Sequence, residues 1–581
     1  MKKSKSQKLQ NLPDVHVAIT YSTVYDDYLS VDPASIIKDI PTLAMLHFVI
    51  QLQNKVLYAL SDTKTQRQMV LTLAGALTNK EERKKVWRFL SEQKFPFLIS
   101  CDTTLLFFRL ALSNYVPIEE GGEIELYKDE KEAVYKALLY CNQKWTDKPI
   151  ENNNIGEIMN DPMGLTKLSV RIDLPIVEFK LYKDFRTQLY KAFKFFEFCE
   201  GNPVYSTYLT YFYHDHNVKH WKEYLLMLFN FFSSSLSGQY ISVDKNHKDI
   251  LTFFDQFLID VNEPALANIW NHDNGLNYLR DHFLMPIEEG TYLLLNANLL
   301  VDKIYQGMKF DFFKTLKSNN LQNPKGKKFS NYPDFNSELG QVYSEPKLLY
   351  PILNKIYQGK ADKTFEGESL KAIFGDSEPD YYLRVGNAMY LFEYKDLTLG
   401  DPIKNSNNTD EIVQQILERI CYDGTDSKGK YKRKGGGQLL NTINEIVNNH
   451  VLDADDSGVA DVKYIYPIIV TTDTAFSALG VNGLCAYEAN NIIKKKGYKF
   501  GKRFVSIPIV VDIDTIIKMA YDLHIGRLDL GKELNSYLKS NAYNNTAPFS
   551  TFMIDKRFRG KPAKKEELSF LFEGMIPDDE E

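Results

Sequence analysis

The chain has 581 residues and a net charge of −6, and 44% of its residues are hydrophobic and 13% aromatic. This length is too great for one core of ordinary size, so we expect two or more domains, and the apolar content excludes a largely disordered protein. Because the average charge would repel phosphate, any contact with a nucleic acid must come from local basic patches.

The N-terminal and cysteine patterns favour an intracellular protein. The segment "MKKSKSQKLQNLPD" carries positive charges but lacks the apolar run that follows them in a signal peptide. The most apolar run, "YLLMLFNFF", is far shorter than the roughly 20 residues that a membrane helix needs. The five cysteines are odd in number and form no CxxC pair, which disfavours a disulfide framework and a zinc cluster. We therefore expect a cytoplasmic protein without membrane association.

From about residue 35 to 320, apolar residues recur at three- and four-residue spacing, which predicts a mainly α-helical domain. Within it, "LTKLSVRIDLPIVEF" reads as a short strand insertion. The histidines of "YHDHNVKH" (His214, His216 and His220) lack a carboxylate pattern beside them, so we expect structural or surface roles for them. The polar segment 316–338 is rich in Asn, Lys, Gly and Pro and predicts a linker. We place the domains at 1–325 and 326–581.

The second region alternates helices and strands, which predicts an α/β domain with a central mixed sheet covered on both faces. The predicted elements are a helix over "EPKLLYPILNKIY" that Pro351 interrupts, two strands around Gly386-Asn387, helices near 410–421, 438–450 and 485–496, and strands over 462–473 and 504–514.

Charged residues converge at one end of the two central strands. Gly386-Asn387 is a two-residue hairpin signal, and that register sets Asp380 opposite Glu393. Lys395 lies two residues beyond Glu393 and therefore on the same face of its strand. Opposed carboxylates repel each other unless one is protonated, a cation lies between them or water reaches them. A register shift of one residue would turn Asp380 to the other face.

This cluster suits metal-assisted hydrolysis of phosphodiester bonds. Asp380, Glu393 and the backbone carbonyl of Tyr394 are hard oxygen ligands of the kind that Mg²⁺ prefers, and Mn²⁺ is expected to substitute. The ion would acidify a bound water and neutralise charge on the phosphate. Lys395 would hold the attacking water and offset the negative charge of the transition state.

The same residues carry a resemblance to a known family. Pro379-Asp380, followed by Glu393-x-Lys395, resembles the PD-(D/E)xK signature of the restriction-endonuclease-like nucleases, over roughly residues 335 to 515. The resemblance implies that fold, Mg²⁺-dependent endonuclease activity and DNA as substrate. It also implies an acidic ligand on the first helix, for which Glu345 is our choice and Glu338 the alternative.

The stretch "KGGGQLLNTINEI" is similar to a helix of that family in which a glutamine lines the site, which would make Gln438 a residue that positions water or substrate. The glycines lack the spacing of a phosphate loop, so we interpret them as a flexible entry to the helix. A large helical domain fused to such a nuclease is similar to prokaryotic anti-phage defence effectors. A partner ATPase or sensor protein, and a homo-oligomer, are compatible with that architecture.

Three basic runs lie in the second region, and the last of them makes a basic C-terminal extension, "KRFRGKPAKK". The other two supply our predicted nucleic-acid contacts: Lys430, Lys432, Arg433, Lys434, Lys494, Lys495, Lys496 and Arg503. Lysine and arginine bind phosphates, and the interleaved aromatic residues stack on bases. Solvated surface is the alternative for each run. For the whole chain, the alternative is a protein that keeps the nuclease fold and binds nucleic acid, or acts as a scaffold, without cutting.

Overall fold

A computed structural model gives the fold of the chain. It describes residues 16–56, 63–119, 124–147, 160–175, 177–180, 183–237, 240–267, 272–375, 378–406, 408–425, 429–540, 547–558 and 564–574. The chain divides into an N-terminal unit (Met1–Asn154, Phe179–Phe185 and Thr210–Phe312) and a C-terminal unit (Ile155–Glu178, Arg186–Leu209 and Phe313–Glu581). A mainly helical region and an α/β region are therefore both present.

The N-terminal unit is built mainly from helices. Its helices are Tyr21–Val24, Pro33–Ile37, Thr42–Asn54, Thr63–Ala76, Lys80–Glu92, Cys101–Ser113, Lys128–Asp147, Trp221–Ser237, Lys248–Asp255, Pro264–Ala267, His272–Asp281 and Ala297–Ile304. A parallel pair joins β1 (His16–Ala18) to β2 (Phe95–Phe97), and a three-stranded antiparallel sheet joins β3 (Tyr240–Ser242), β4 (Leu284–Glu288) and β5 (Thr291–Leu294). The helix Cys101–Ser113 is buried on all sides except at its last residue, so it forms the centre of this unit's core.

The C-terminal unit surrounds a six-stranded mixed sheet. The strands are β6 (Lys363–Glu366), β7 (Tyr381–Val385), β8 (Ala388–Lys395), β11 (Tyr464–Thr471), β12 (Phe504–Val505) and β13 (Ile509–Asp512), and a separate hairpin pairs β9 (Cys421–Thr425) with β10 (Tyr431–Gly435). β8 lies inside the sheet, antiparallel to β7 and parallel to β11. Its residues are buried except at its two ends, as expected for a central strand.

Helices cover both faces of this sheet. The described helices are Gly164–Asp173, Tyr332–Leu339, Tyr350–Tyr357, Gly367–Phe374, Asp401–Lys404, Thr409–Ile420, Gly436–Asn449, Val481–Lys496, Ile513–His524, Leu530–Ser540, Phe549–Met553 and Lys565–Phe572, with π-helices at Gly340–Leu349 and Ile554–Phe558 and 3₁₀ turns at Ser457–Asp461 and Thr474–Ser477. Phe392 of β8 lines a small apolar cavity with Leu353 and Ile516 on one face. Glu393 meets Gln438 of Gly436–Asn449 on the other face.

Four further helices are divided between the two units in sequence: Val177–Lys180, Phe185–Gly201, Pro203–Asp215 and Gln306–Ser318. The predicted division at 325/326 therefore differs from the observed one. The C-terminal unit takes in residues near 164–178 and 186–209, because these segments bond and pack within it. For example, Tyr343 donates its hydroxyl to the Lys191 carbonyl at 3.0 Å and packs edge-on against Phe195.

The predicted strand in "LTKLSVRIDLPIVEF" is wrong, because the segment forms the helix Gly164–Asp173. Its buried residues Thr166, Val170 and Asp173 recur at helical spacing, which the β-branched composition concealed. The segment 316–338, predicted as a linker, contains regular structure. Gln322 and Lys328 form a β-bridge within it, and a helix begins at Tyr332.

Candidate functional site

The site lies at the end of the β7–β8 hairpin that is far from its turn. The predicted hairpin is confirmed, since Tyr381 pairs with Phe392 and Val385 with Ala388 around Gly386-Asn387. Gly386 has a φ of 58°, which a two-residue turn requires and glycine adopts at little cost. The turn thus fixes the register that brings the charged residues together.

Asp380 departs from the predicted ladder. β7 begins at Tyr381, and the Asp380 N–H donates to the Phe392 carbonyl at 2.9 Å rather than continuing the pairing toward Glu393. Its carboxylate accepts the Tyr394 N–H at 2.5 Å. Because the N–H and C=O of one strand residue face the same neighbouring strand, the Tyr394 carbonyl also faces the edge that Asp380 occupies.

Glu393 is buried and forms hydrogen bonds with the half-buried side chains of Lys395 and Gln438. The Glu393 side chain is 2% exposed and accepts the Lys395 ammonium at 2.5 Å. The Gln438 amide nitrogen donates to the other Glu393 oxygen at 3.0 Å and to the Glu378 carbonyl at 2.6 Å. Gln438 is therefore hydrogen-bonded to a carboxylate of the site, and its role in positioning water or substrate stays a prediction.

The three glycines before Gln438 allow the backbone to approach a neighbouring segment closely. A Cβ at Gly435 would lie 2.1 Å from the Ile420 carbonyl oxygen, and one at Gly437 would lie 2.2 Å from the Tyr422 carbonyl oxygen. Gly435 also has a φ of 53°. Only glycine lets this chain pass so close to the backbone of Ile420 and Tyr422, and the flexibility expected of this entry stays a prediction.

Glu345 reaches the site from a π-helix. The helix Gly340–Leu349 contains Pro346 and ends with the Tyr350 N–H donating to the Glu345 carbonyl, the i to i−5 bond of a π-helix. Glu345 is half-buried, and the charges that act on it are those of Asp380, Lys395, Asp396 and Glu378. Glu338, the alternative acid, instead accepts the Asn323 side chain at 2.8 Å.

The three carboxyl groups are difficult to ionise together. Burial, reinforced by the charge of Asp380, raises the pKa of Glu345 to about 8 despite Lys395. Burial raises the pKa of Glu393 to about 8 and that of Asp380 to about 6, although Lys395 opposes both changes. Burial acts in the opposite direction on Lys395, yet Glu393 and Asp380 raise its pKa overall. We call Glu345, Asp380, Glu393 and Lys395 the acidic cluster.

When all four side chains are ionised, the acidic cluster carries three carboxylates and one ammonium, and a divalent cation would offset the remaining negative charge. Asp380, Glu393 and the Tyr394 carbonyl would hold it, with Glu345 close by. Among the described residues, no three His, Cys, Asp or Glu side chains form a ready metal cage. Mg²⁺ suits such a sparse set of oxygen donors, because it keeps several of its waters.

Asp396 is a supporting residue that the sequence reasoning missed. Its buried carboxylate accepts the Asn336 amide at 2.8 Å, the Thr472 hydroxyl at 2.5 Å and the Ser344 hydroxyl. These bonds tie the end of β8 to the π-helix beside Glu345. The signal in the sequence was an acid directly after "EYK", where a strand ends among buried residues.

The predicted nucleic-acid contacts divide into two groups. Arg433 and Lys496 pair with Asp423 at 3.4 and 3.2 Å, and Arg503 donates to the Val462 carbonyl at 3.2 Å. These cations serve intramolecular contacts. The remaining lysines are exposed or half-exposed: Lys430 just before β10, Lys432 and Lys434 on β10, and Lys494 and Lys495 at the end of Val481–Lys496.

The three histidines do not converge. The His214 side chain is 90% exposed, whereas His216 is buried and bonds Gln256 at 2.8 Å. Burial lowers the pKa of His216, as expected for a neutral core histidine. The structural or surface roles predicted for this segment agree with this arrangement.

A scan against protein-family models and searches of curated proteins and of solved structures each found no match to this chain. Within the described ranges, no helix combines the length and apolar character needed to cross a bilayer. All five cysteines are buried free thiols. What the chain does must therefore be inferred from its own residues.

Proposed function

We propose that the chain is a Mg²⁺-dependent nuclease that hydrolyses phosphodiester bonds, with DNA as its substrate, built on a restriction-endonuclease-like fold. The observation that carries the proposal is the acidic cluster itself. Glu345 of the π-helix, Asp380 just before β7 and Glu393 of β8 all interact electrostatically with Lys395. Gln438 of the helix Gly436–Asn449 donates a hydrogen bond to Glu393. Structural ion pairs do not require this surplus of negative charge.

Each side chain has a separate task in the proposed reaction. Asp380, Glu393 and the Tyr394 carbonyl would hold the metal, which when bound would lower the pKa of a water and offset charge on the phosphate. Lys395 lies beside Glu393 and stabilises the additional negative charge of the pentavalent phosphorus in the transition state. Gln438 fixes the Glu393 carboxylate, and Asp396 fixes the strand end from which Lys395 projects.

The role in anti-phage defence remains a prediction from the architecture. A nuclease of this kind needs restraint inside its host, and the helical N-terminal unit is our candidate for sensing or docking a partner protein. The acidic cluster does not depend on that role.

A cleavage assay tests the proposal directly. Purified full-length protein is incubated with duplex DNA, single-stranded DNA and RNA in the presence of Mg²⁺, Mn²⁺ or EDTA. We expect cleavage of DNA with either metal and none with EDTA. Calorimetric titration with Mg²⁺ supplies a second readout. Metal binding without cleavage of any substrate would favour the non-cutting alternative, and absence of both would remove the proposal.

A further inference from the structure

The β9–β10 hairpin has two chemically different faces. Its register pairs Arg433 with Asp423 and Lys434 with Tyr422. Because side chains alternate along a strand, Tyr431 and Arg433 lie on one face of β10, and Lys432 and Lys434 lie on the other. The basic run that appeared uniform in the sequence is therefore split by the pleat.

The Arg433 face is a structural network. The Asp423 side chain has no exposed surface and accepts from Arg433, from Lys496 and from the Tyr431 hydroxyl. Lys496 also donates to the Tyr431 oxygen at 2.6 Å, and both cations lie over the Tyr431 ring, at 5.2 Å for Arg433 and 4.9 Å for Lys496. These two cations are committed to the fold.

Lys434, on the other face, lies near enough to Lys395 of the acidic cluster for the two charges to interact. Lys434 is exposed and directly precedes the glycine turn that delivers Gln438 to Glu393. β10 also contacts β8, the strand that carries Glu393 and Lys395. Partial burial lowers the pKa of Lys434, and the charges of Lys432 and Lys395 lower it further, as expected for neighbouring cations.

We propose that Lys432 and Lys434 bind successive backbone phosphates of the nucleic-acid strand that enters the acidic cluster. Residues at i and i+2 of a strand are about 6.6 Å apart, a separation comparable with that of successive phosphates on an extended strand. Together with Lys395, they form a row of cations that leads to the scissile bond. This inference rests on the proposed function, because it names the path of that reaction's substrate.

Two double variants of equal charge test the row. Lys432→Gln/Lys434→Gln removes the proposed contacts. Lys532→Gln/Lys539→Gln removes two exposed lysines from the helix Leu530–Ser540, which packs against Tyr390 on the sheet face opposite to Glu393. Both are made in full-length protein carrying Asp380→Asn, which prevents cleavage. Binding to fluorescent duplex DNA is measured by anisotropy with Mg²⁺ between 50 and 200 mM salt, and the melting temperature of each variant is recorded.

Each phosphate contact contributes about 0.9 to the slope of log affinity against log salt on duplex DNA. We expect Lys432→Gln/Lys434→Gln to reduce that slope by about 1.8, so that the affinity lost over this salt range becomes roughly tenfold smaller. The Lys532/Lys539 variant is expected to keep the parent slope. Lys434→Gln alone should give about half the change, and it tests the row if the double variant fails to fold.

An unchanged slope for the Lys432/Lys434 variant, equal changes in both double variants, or no binding by the parent protein would each overturn the inference. Its failure is separable from that of the proposed function. A protein that binds DNA through Lys432 and Lys434 but never cleaves it supports the phosphate contacts and contradicts the nuclease. A protein that cleaves DNA, and whose salt slope is unchanged by the loss of these lysines, supports the nuclease and contradicts the phosphate contacts.

Discussion

Each of the two units buries a group of charged residues, and the two groups are built differently. In the N-terminal unit, Asp302 accepts Lys183 and, at 2.6 Å, Arg280. The adjacent Lys303 pairs with Asp281 at 3.2 Å and with Asp311 at 2.7 Å. Acids and bases are therefore equal in number in this group of six, which we call the balanced cluster.

The pKa of Asp302 in the balanced cluster changes in the opposite direction to the pKa values of Glu345 and Glu393 in the acidic cluster. Burial disfavours the charged form of Asp302, yet Arg280 and Lys183 lower its pKa well below the usual range. Burial also disfavours the charged form of Lys303, and Asp311 and Asp281 raise its pKa. Every charge in the balanced cluster is thus compensated. In the acidic cluster, the pKa values of Glu345 and Glu393 rise to about 8 with a single lysine beside them.

This difference separates a structural role from a functional one. Compensated buried charges keep their ionised forms and need nothing more from solution. The acidic cluster can be fully ionised near neutral pH only if a cation binds to it. Without that cation, burying the three acids lowers the stability of the fold. We therefore expect substitutions and metal to affect stability differently in the two clusters.

The largest expected effect is on catalysis. Lys395→Met, Asp380→Asn and Glu393→Gln should each reduce the rate of DNA cleavage by on the order of a thousandfold, because each removes charge stabilisation or a metal ligand. Asp39→Asn, at a side chain that is 86% exposed, is the matched control and should cleave at the parental rate. Any of the three variants that cleaves as fast as this control would contradict the assignment of the site.

The next effect is on folding, and it concerns the balanced cluster. Asp302→Asn should lower the free energy of unfolding by about 3–5 kcal/mol, because it removes the buried negative charge that Lys183 and Arg280 contact. Glu393→Gln should instead leave the metal-free stability equal or higher. Chemical denaturation of both variants without metal measures this contrast. If Glu393→Gln is destabilised as much as Asp302→Asn, the two clusters do not differ as we infer.

Metal should stabilise one cluster only. A ligand present at a hundred times its Kd raises the free energy of unfolding by about 2.7 kcal/mol, so saturating Mg²⁺ should raise the melting temperature of the parent protein. Glu393→Gln should lose most of that gain, whereas Lys404→Met, at a buried lysine paired with Glu178, should retain it. A Mg²⁺ response that survives in Glu393→Gln would place the ion elsewhere.

The smallest effect is on the pH dependence of stability without metal. The folded pKa values of Glu345 and Glu393, about 8, exceed the usual value for glutamate, so the folded state keeps protons that the unfolded chain has lost. The metal-free protein should therefore lose stability as the pH rises from about 5 to about 8. Glu393→Gln should flatten this slope in denaturation experiments at a series of pH values, and an equal slope would contradict the expectation.

The sequence predicted the C-terminal fold well where local patterns decide structure. The Gly-Asn turn, the apolar strands and the helices near 410, 438 and 485 depend on spacing that neighbouring residues reveal. The charged residues at the strand end also came together, because the turn sets their register. The Asp380 N–H donates to the Phe392 carbonyl and so does not continue the predicted pairing toward Glu393. No local sequence pattern encodes this change.

Contacts between distant segments could not be predicted in this way. The helix Gly164–Asp173 belongs to the C-terminal unit, although it lies some 150 residues before the predicted boundary. The bonds of Asp396 to Ser344 and Thr472 likewise join three separate segments. The ion pairs of Arg433 and Lys496 with Asp423 could not be predicted without knowing which helix packs beside the hairpin.

The π-helix that carries Glu345 limits where residues can be deleted from this chain. A π-helix holds one more residue per hydrogen-bonded loop than an α-helix, so deleting a single residue between Gly340 and Leu349 would favour the ordinary α-helical winding. The deletion would keep the helix but rotate Glu345 away from its neighbours. We therefore expect single-residue deletions here to abolish activity without unfolding the protein, so natural variation in length should avoid this segment.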